Sequence, residues 1–252
     1  MFAQTPVVAD GGVLNGASFV KGQAVAPGSL ISIFGTNLAS ANALANSIPL
    51  STTLSNSVTV TFNGLAAPLS GVFHDPVNGD QINAQLPWEV PNGTANVVVQ
   101  NSNGTSTPVS VNVGPSPGIF VFGTQAIAYG NSDGIIAAAN GSIQGLNTHP
   151  AKINDPTTLV ILATGLGPVN PPLQTGNIVT DNQVHSTTTT PTVTVGNVPA
   201  QVVFSGMTPQ FVGVYQINII IAPGTPTGDA IPLQITMGGI TTPSNITIAV
   251  SN

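Results

Sequence analysis

Cysteine and arginine are both missing from this 252-residue sequence, and lysine occurs only at Lys21 and Lys152. Without cysteine there are no disulfides, no thiolate nucleophile and no Cys-based zinc or iron–sulfur site. Charged residues make up 4% of the chain, where a soluble domain usually has about a quarter. The formal charge of −6 is carried by eight acidic side chains against the two lysines. A surface this poor in cations cannot release counterions from phosphates, which argues against a nucleic-acid partner. No apolar run is long enough for a membrane-spanning helix, so membrane insertion is not expected. Helical periodicity with caps is also missing. Hydrophobic residues nevertheless reach 41%, more than a disordered chain of low charge carries. The expectation is a folded protein with a surface of Thr, Ser, Asn, Gln and Gly.

What is present is repetition. Gln81-Ile82-Asn83 recurs as Gln216-Ile217-Asn218, and at the same spacing Pro91 falls on Pro226, Gly93 on Gly228, Gly104 on Gly239 and Thr107-Pro108 on Thr242-Pro243. Apolar positions match in the same gap-free register, Leu86 with Ile221, Val98 with Leu233, Val111 with Ile246 and Val113 with Ile248. One structural unit used twice explains this pattern.

Each copy reads as short strands between turn signals. Val58-Thr59-Val60-Thr61-Phe62 alternates with period two, and Asn63-Gly64 behind it is a type I′ hairpin signal. The second copy gives Thr192-Val193-Thr194-Val195 followed by Gly196-Asn197. Strands opening near Pro27 and Pro156 precede these hairpins. Between the copies, Ala126 to Tyr129 and Gly134 to Ala138 flank Asn131-Ser132-Asp133 as a further hairpin. Many short strands at such spacing are the signature of β-sandwiches. The division expected is an extended segment over 1–22, a sandwich over 23–114, a hairpin-containing connector over 115–155 and a second sandwich over 156–252. Met1-Phe2-Ala3-Gln4-Thr5-Pro6 reads as the remnant of a secretion signal cleaved near Ala3.

Pro27-Gly28-Ser29-Leu30-Ile31-Ser32-Ile33-Phe34-Gly35-Thr36-Asn37-Leu38 resembles the opening strand of an IPT/TIG-type immunoglobulin-like domain. With Asn15-Gly16-Ala17-Ser18-Phe19, Pro117-Gly118-Ile119-Phe120 and Ala163-Thr164-Gly165-Leu166-Gly167, the chain resembles the uncharacterised Solibacter-type C-terminal family. Members of that family lie at the ends of secreted acidobacterial proteins. The resemblance spans about residues 10 to 250. It implies an all-β fold of two tandem immunoglobulin-like, E-set sandwiches and an extracellular, cell-surface setting. It brings no catalytic residues.

Three groups of residues stand out as candidate sites. Asp75 and Asp80, with His74 beside them, sit on a loop that offers a calcium candidate, although the alternating ligands and terminal Glu of an EF-hand are lacking. The competing reading is a polar inter-strand loop turning at Asn78-Gly79. Trp88, the single tryptophan, suits stacking on a pyranose face or, as large aromatics more often do, plugging a domain junction. Val7, Val8, Val13 and Leu14 form an extended, partly apolar segment that could add as a strand to a neighbouring copy. Lys21 and Lys152 read as solvated lysines, with a Lys–Asn crosslink the sharper alternative. No Gly-x-Ser-x-Gly elbow occurs and the histidines show no triad spacing. No enzymatic activity and no resident cofactor are therefore expected. The sequence points to a secreted structural or adhesive protein that self-associates into a filament or surface layer by β-strand addition. The alternative is a secreted glycan-binding accessory module whose partner is surface polysaccharide.

Overall fold

A computed structural model of the chain describes residues 4–55 and 57–252. The signal remnant expected around Ala3 lies outside the described residues. Among those residues there are strands, turns and bends, and no helix. The protein is all-β.

In the first half, strands β1 (Val7–Asn15), β2 (Leu30–Thr36), β3 (Thr59–Phe62), β4 (Leu69–Phe73), β5 (Asp80–Gln85), β6 (Gly93–Asn101) and β7 (Val109–Val113) form two antiparallel sheets. One has the order β1-β2-β5-β4, with Ala43–Leu44 on its edge, and the other the order β7-β6-β3, with Leu65–Ala66 on its edge. The alternation read in Val58 to Phe62 places Val60 and Phe62 inward. They meet Ile31, Ile33, Leu69 and Ile82 from the facing sheet in one apolar core. Each such side chain, fully buried, contributes ~1.5–3 kcal/mol. Two sheets closed on one core are a β-sandwich.

The second half repeats this with β8 (Ala128–Gly130), β9 (Leu159–Thr164), β10 (Thr192–Val195), β11 (Val198–Met207), β12 (Tyr215–Ile220), β13 (Gly228–Met237) and β14 (Thr247–Ser251). One layer runs β8-β9-β12 and the other β10-β13-β14. Ile161, Ile217, Leu233, Ile235 and Ile248 share the core between them. Strand β11 belongs to both layers, since Val198 to Ala200 pair with β10 and Gln201 to Met207 pair with β12. The first half crosses at the same place in two pieces, with Leu65–Ala66 on β3 and β4 on β5.

The duplication is visible in the pairing. Ile33 faces Ile82 in one half, and Ile161 faces Ile217 in the other. Gly93 and Gly228 open equivalent strands with φ of 126° and 150°, a region that L side chains rarely adopt. Beyond these glycines the gap-free register fails. Val60 pairs with Val99, whereas Val193 pairs with Ile235, one residue past the position expected from Val99. The cause is an irregularity between Gly228 and Ile231, where β13 takes in one extra residue. A buried hydroxyl marks the corrected register. Ser106 Oγ accepts from the Val99 N–H at 3.0 Å, and Thr242 Oγ1 accepts from the Ile235 N–H at 3.0 Å. Thr242 thus answers to Ser106 rather than Thr107.

Two expected segments differ from the structure. Residues 7–15 are not a free donor segment but β1 itself, paired with β2, and Val8, Val13 and Leu14 are buried. Burial of these side chains is what holds the segment down, and only Val7 of the four is exposed. The 115–155 connector is likewise absorbed into the second half. Its hairpin forms, with Tyr129 opposite Ile136, but β8 pairs with β9, and Ala151–Lys152 pairs with β14. Ile119, Ala126 and Ala128 reach the second core, so these residues are layer edges rather than a link.

Candidate functional site

Between the two halves, backbone and side chains interlock. Leu30 N–H donates to Thr164 Oγ1 at 2.9 Å, and the Thr164 hydroxyl donates to the Gly213 carbonyl at 2.7 Å. Asn15 Nδ2 donates to the Ser116 carbonyl at 2.7 Å. A strap from the second half, between the short strands Val169–Asn170 and Ser186–Thr187, lies against the first half. There Gly176 N–H donates to Gln85 Oε1 at 2.7 Å, Leu50 N–H to the Gly176 carbonyl at 2.9 Å, and Trp88 N–H to Thr175 Oγ1 at 3.0 Å. The foot of the strap is fixed by His185, whose Nδ1 lies 2.6 Å from the Pro171 carbonyl and whose Nε2 lies 3.0 Å from Asp181 Oδ1.

Trp88 sits in this junction. It meets Tyr215 edge-on at 6.4 Å between ring centroids and packs on the second core. A Cβ built on Gly28 would overlap the indole ring, so one face of the ring rests on the Gly28 backbone. A sugar stacking on that face would first have to displace the Gly28 backbone. Tyr215 is fully buried, its hydroxyl donating to the Gly167 carbonyl at 2.6 Å, and burial pushes its pKa far up.

The Asp75 and Asp80 carboxylates, offered by the sequence for calcium, face N–H groups. Asp80 Oδ2 accepts from Leu38 N–H at 2.7 Å and Ala39 N–H at 3.2 Å, while Oδ1 accepts from Asp75 N–H at 3.1 Å and lies 2.8 Å from His74 Nδ1. Asp75 closes its own turn through the N–H and side chain of Asn78 and the N–H of Val77, bonds that lower its pKa. This is the Asx-turn chemistry of a polar loop. The two carboxylates are directed at separate backbone donors, not at a shared point.

A larger feature, not singled out by the sequence, lies at the edge of the second half. A cleft of about 480 Å³ opens between the 130–137 hairpin and the Ala151–Lys152 strand. Leu159, Ile219 and Ile221 form its floor, and Asp133, His149, Lys152 and Asp155 stand around it. Three of the ten acidic and lysine side chains of the chain, and one of its three histidines, thus meet at one place. The local cause is turn chemistry. Asp133 caps the hairpin by accepting from Ile135 N–H at 2.9 Å, and Asp155 caps the next turn through the N–H and hydroxyl of Thr157. These same bonds, ahead of any other cause, lower both carboxyl pKa values.

His149 bridges the two sides. Its Nδ1 lies 2.9 Å from the Pro150 carbonyl and its Nε2 lies 2.9 Å from Asp133 Oδ2. Both partners are acceptors, an arrangement that only the doubly protonated ring satisfies. The Pro150 carbonyl, then Asp133, accordingly raise the His149 pKa. Lys152 makes no ion pair among the described residues. Thr158 Oγ1 is buried at the cleft without a hydrogen-bond partner, and the residue has φ of 68°. For a β-branched side chain that is a strained conformation, of a kind that collects at functional sites.

No protein-family model matches the sequence, and no curated protein is similar to it. Among solved structures, the chain is similar to the Bacteroides ovatus mixed-linkage glucan utilization locus SGBP-B in complex with a mixed-linkage heptasaccharide, at 14% identity and a TM-score of 0.33. That alignment covers 90% of this chain and 42% of the other. This chain therefore spans less than half of that protein. It is also similar to domains 5-6 of the S-layer protein SbsC, at 14% identity and a TM-score of 0.24, over 98% and 99% of the two chains. The I9-I11 tandem of titin follows at 11% identity and a TM-score of 0.22, over 98% and 66%.

The cleft could not be found from sequence spacing. Asp133 and Asp155 stand at two different turns and His149 and Lys152 in two short strands between them, and long-range pairing of β8, β9 and β14 brings them together. The available signal was the concentration of scarce charges in the 133–155 segment.

Proposed function

We propose that this chain is a non-enzymatic extracellular module, two tandem immunoglobulin-like sandwiches of the E-set, IPT/TIG type, that serves structure or adhesion at a cell surface. One observation carries the reading. Two sandwiches with few charged side chains are fastened to each other by buried and half-buried bonds across Trp88, Gln85, Thr164 and Asn15. That is the construction of a stiff spacer. Among the described residues each histidine is held by an aspartate, and none is hydrogen-bonded to a hydroxyl nucleophile.

The assembly route follows from β1. It is an edge strand, bonded only to β2 within its sheet, and it precedes a turn-rich connection. The same strand completing a neighbour's sheet would link copies by exchange. Val7 and Thr36 are direct cross-strand partners. A V7C/T36C pair, oxidised in this cysteine-free chain, would pin β1 in its own sheet. Light scattering and electron microscopy should then show assemblies for the parent chain and monomers for the crosslinked one. Monomers for both would remove the assembly role. Assemblies for both would remove strand exchange as the route.

A further inference from the structure

We infer that the cleft at the edge of the second half binds an uncharged saccharide unit, and that Lys152 and Asp155 are its polar contacts. The inference rests on the adhesive side of the function proposed above and names the ligand class. Size comes first. A cleft of about 480 Å³ falls within the ~300–1,000 Å³ of small-ligand sites and accommodates one or two sugar rings.

Charge then narrows the chemistry. Lys152 and protonated His149 oppose Asp133 and Asp155, so the cleft is close to neutral overall. An anion would face two carboxylates, and a metal ion would face an ammonium and an imidazolium. His149 and Asp133 are already satisfied by each other. Lys152 and the free lone pairs of Asp155 are not, and a sugar's vicinal hydroxyls fit them. One hydroxyl accepts from the ammonium while its neighbour donates to the carboxylate, and hydrogen bonds to charged groups are the stronger kind.

The remaining features agree with a bound polyol. Ile135 and Pro150, both half-buried, give the cleft an apolar wall for the C–H face of a sugar ring. The cleft has no aromatic lining, so affinity must come mainly from the polar rim, and weak binding in the range of about 10 μM to 1 mM is expected.

Isothermal titration of the full chain with cellohexaose, maltohexaose and an oligogalacturonate tests this. At least one neutral hexasaccharide should bind, the oligogalacturonate should not, and K152A and D155N should each weaken binding at least tenfold. Lys152 is exposed, and an Asn at 155 keeps an acceptor oxygen for Thr157, so the variants should stay folded with melting points close to the parent's. Trp88 fluorescence should stay constant through the titration, since the indole lies in the junction. Failure of both neutral sugars to bind, binding of the acidic sugar alone, or binding indifferent to both substitutions would overturn the assignment. Light scattering on the same samples reports assembly separately, so loss of the cleft proposal would leave the structural role standing or falling by itself.

Discussion

Replacing Asp80 by alanine separates a carboxylate that shapes a loop from one that waits for calcium. Asp80 is 2% exposed, and its two oxygens receive three backbone N–H bonds and the His74 ring. Asp75 N–H and His74 lie near solvent and can turn to water when the carboxylate goes. The N–H groups of Leu38 and Ala39 cannot, because both residues are buried. Two orphaned buried donors cost ~1–3 kcal/mol each, and the lost charge-assisted bonds bring the total to about 3–5 kcal/mol. For a chain of this size melting as one unit, roughly 3 °C per kcal/mol gives a fall of about 10–15 °C. A first sandwich melting alone would fall further. Asp80→Asn, which keeps one acceptor oxygen, should lose less. Scanning calorimetry with and without excess calcium chloride is the assay, and the fall should be the same in both. A midpoint within about 2 °C of the parent would refute the bond accounting. A calcium-dependent rise in the parent that vanishes in Asp80→Ala would show that the carboxylate holds a cation.

The matched hydroxyls offer a second check: Ser106→Ala and Thr242→Val should each cost ~1–3 kcal/mol by orphaning the Val99 or Ile235 N–H, and similar losses in denaturant titrations would support the corrected register. The strap should respond to pH. Burial alone would lower the His185 pKa, but Asp181 and the Pro171 carbonyl outweigh it and raise it. A raised folded pKa means the stabilisation is full below the unfolded value of about 6.5 and fades as pH rises through the folded value. Asp181 is held low by His185 and by Gln183 N–H, so the pair persists well into acid. Strap amides, read at Gly176 by hydrogen exchange corrected for intrinsic rate, should be better protected at about pH 6 than at about pH 8. His185→Gln should flatten that difference, and an equal difference in both proteins would refute the clamp.

The parts of this fold that local chemistry dictates could be read from the sequence. Asn63-Gly64 turns a hairpin, with Asn63 at φ of 49° and Gly64 at 84°, because few other residues accept those angles. Val60 and Phe62 point inward as their alternation requires. What depended on distant partners was misread. The 7–15 segment looks free until β2 is placed beside it, and the 115–155 segment looks like a connector until β9 and β14 arrive. The repeat was detectable because glycines at positive φ and core isoleucines recur. Its one-residue slip was not, because an irregularity in β13 leaves no compositional trace. The cleft charges were hidden for the same reason. Asp133 and Asp155 read as ordinary turn-capping residues, Lys152 and His149 as isolated strand residues, and only tertiary pairing gathers them.

Strand β11 gives the two halves different mechanical characters. In the second half a single ten-residue strand passes from one layer to the other, so a shear on either layer is carried across by a long ladder with one irregularity, between Val202 and Phe204. In the first half the paired runs on either side of the crossing are shorter, and Ala67 and Pro68 between them hold on by one bond each, from Ala67 N–H to the Val60 carbonyl and from Gln85 N–H to the Pro68 carbonyl. Under tension the first sandwich should yield before the second, which would make it the extensible element in any chain of such modules.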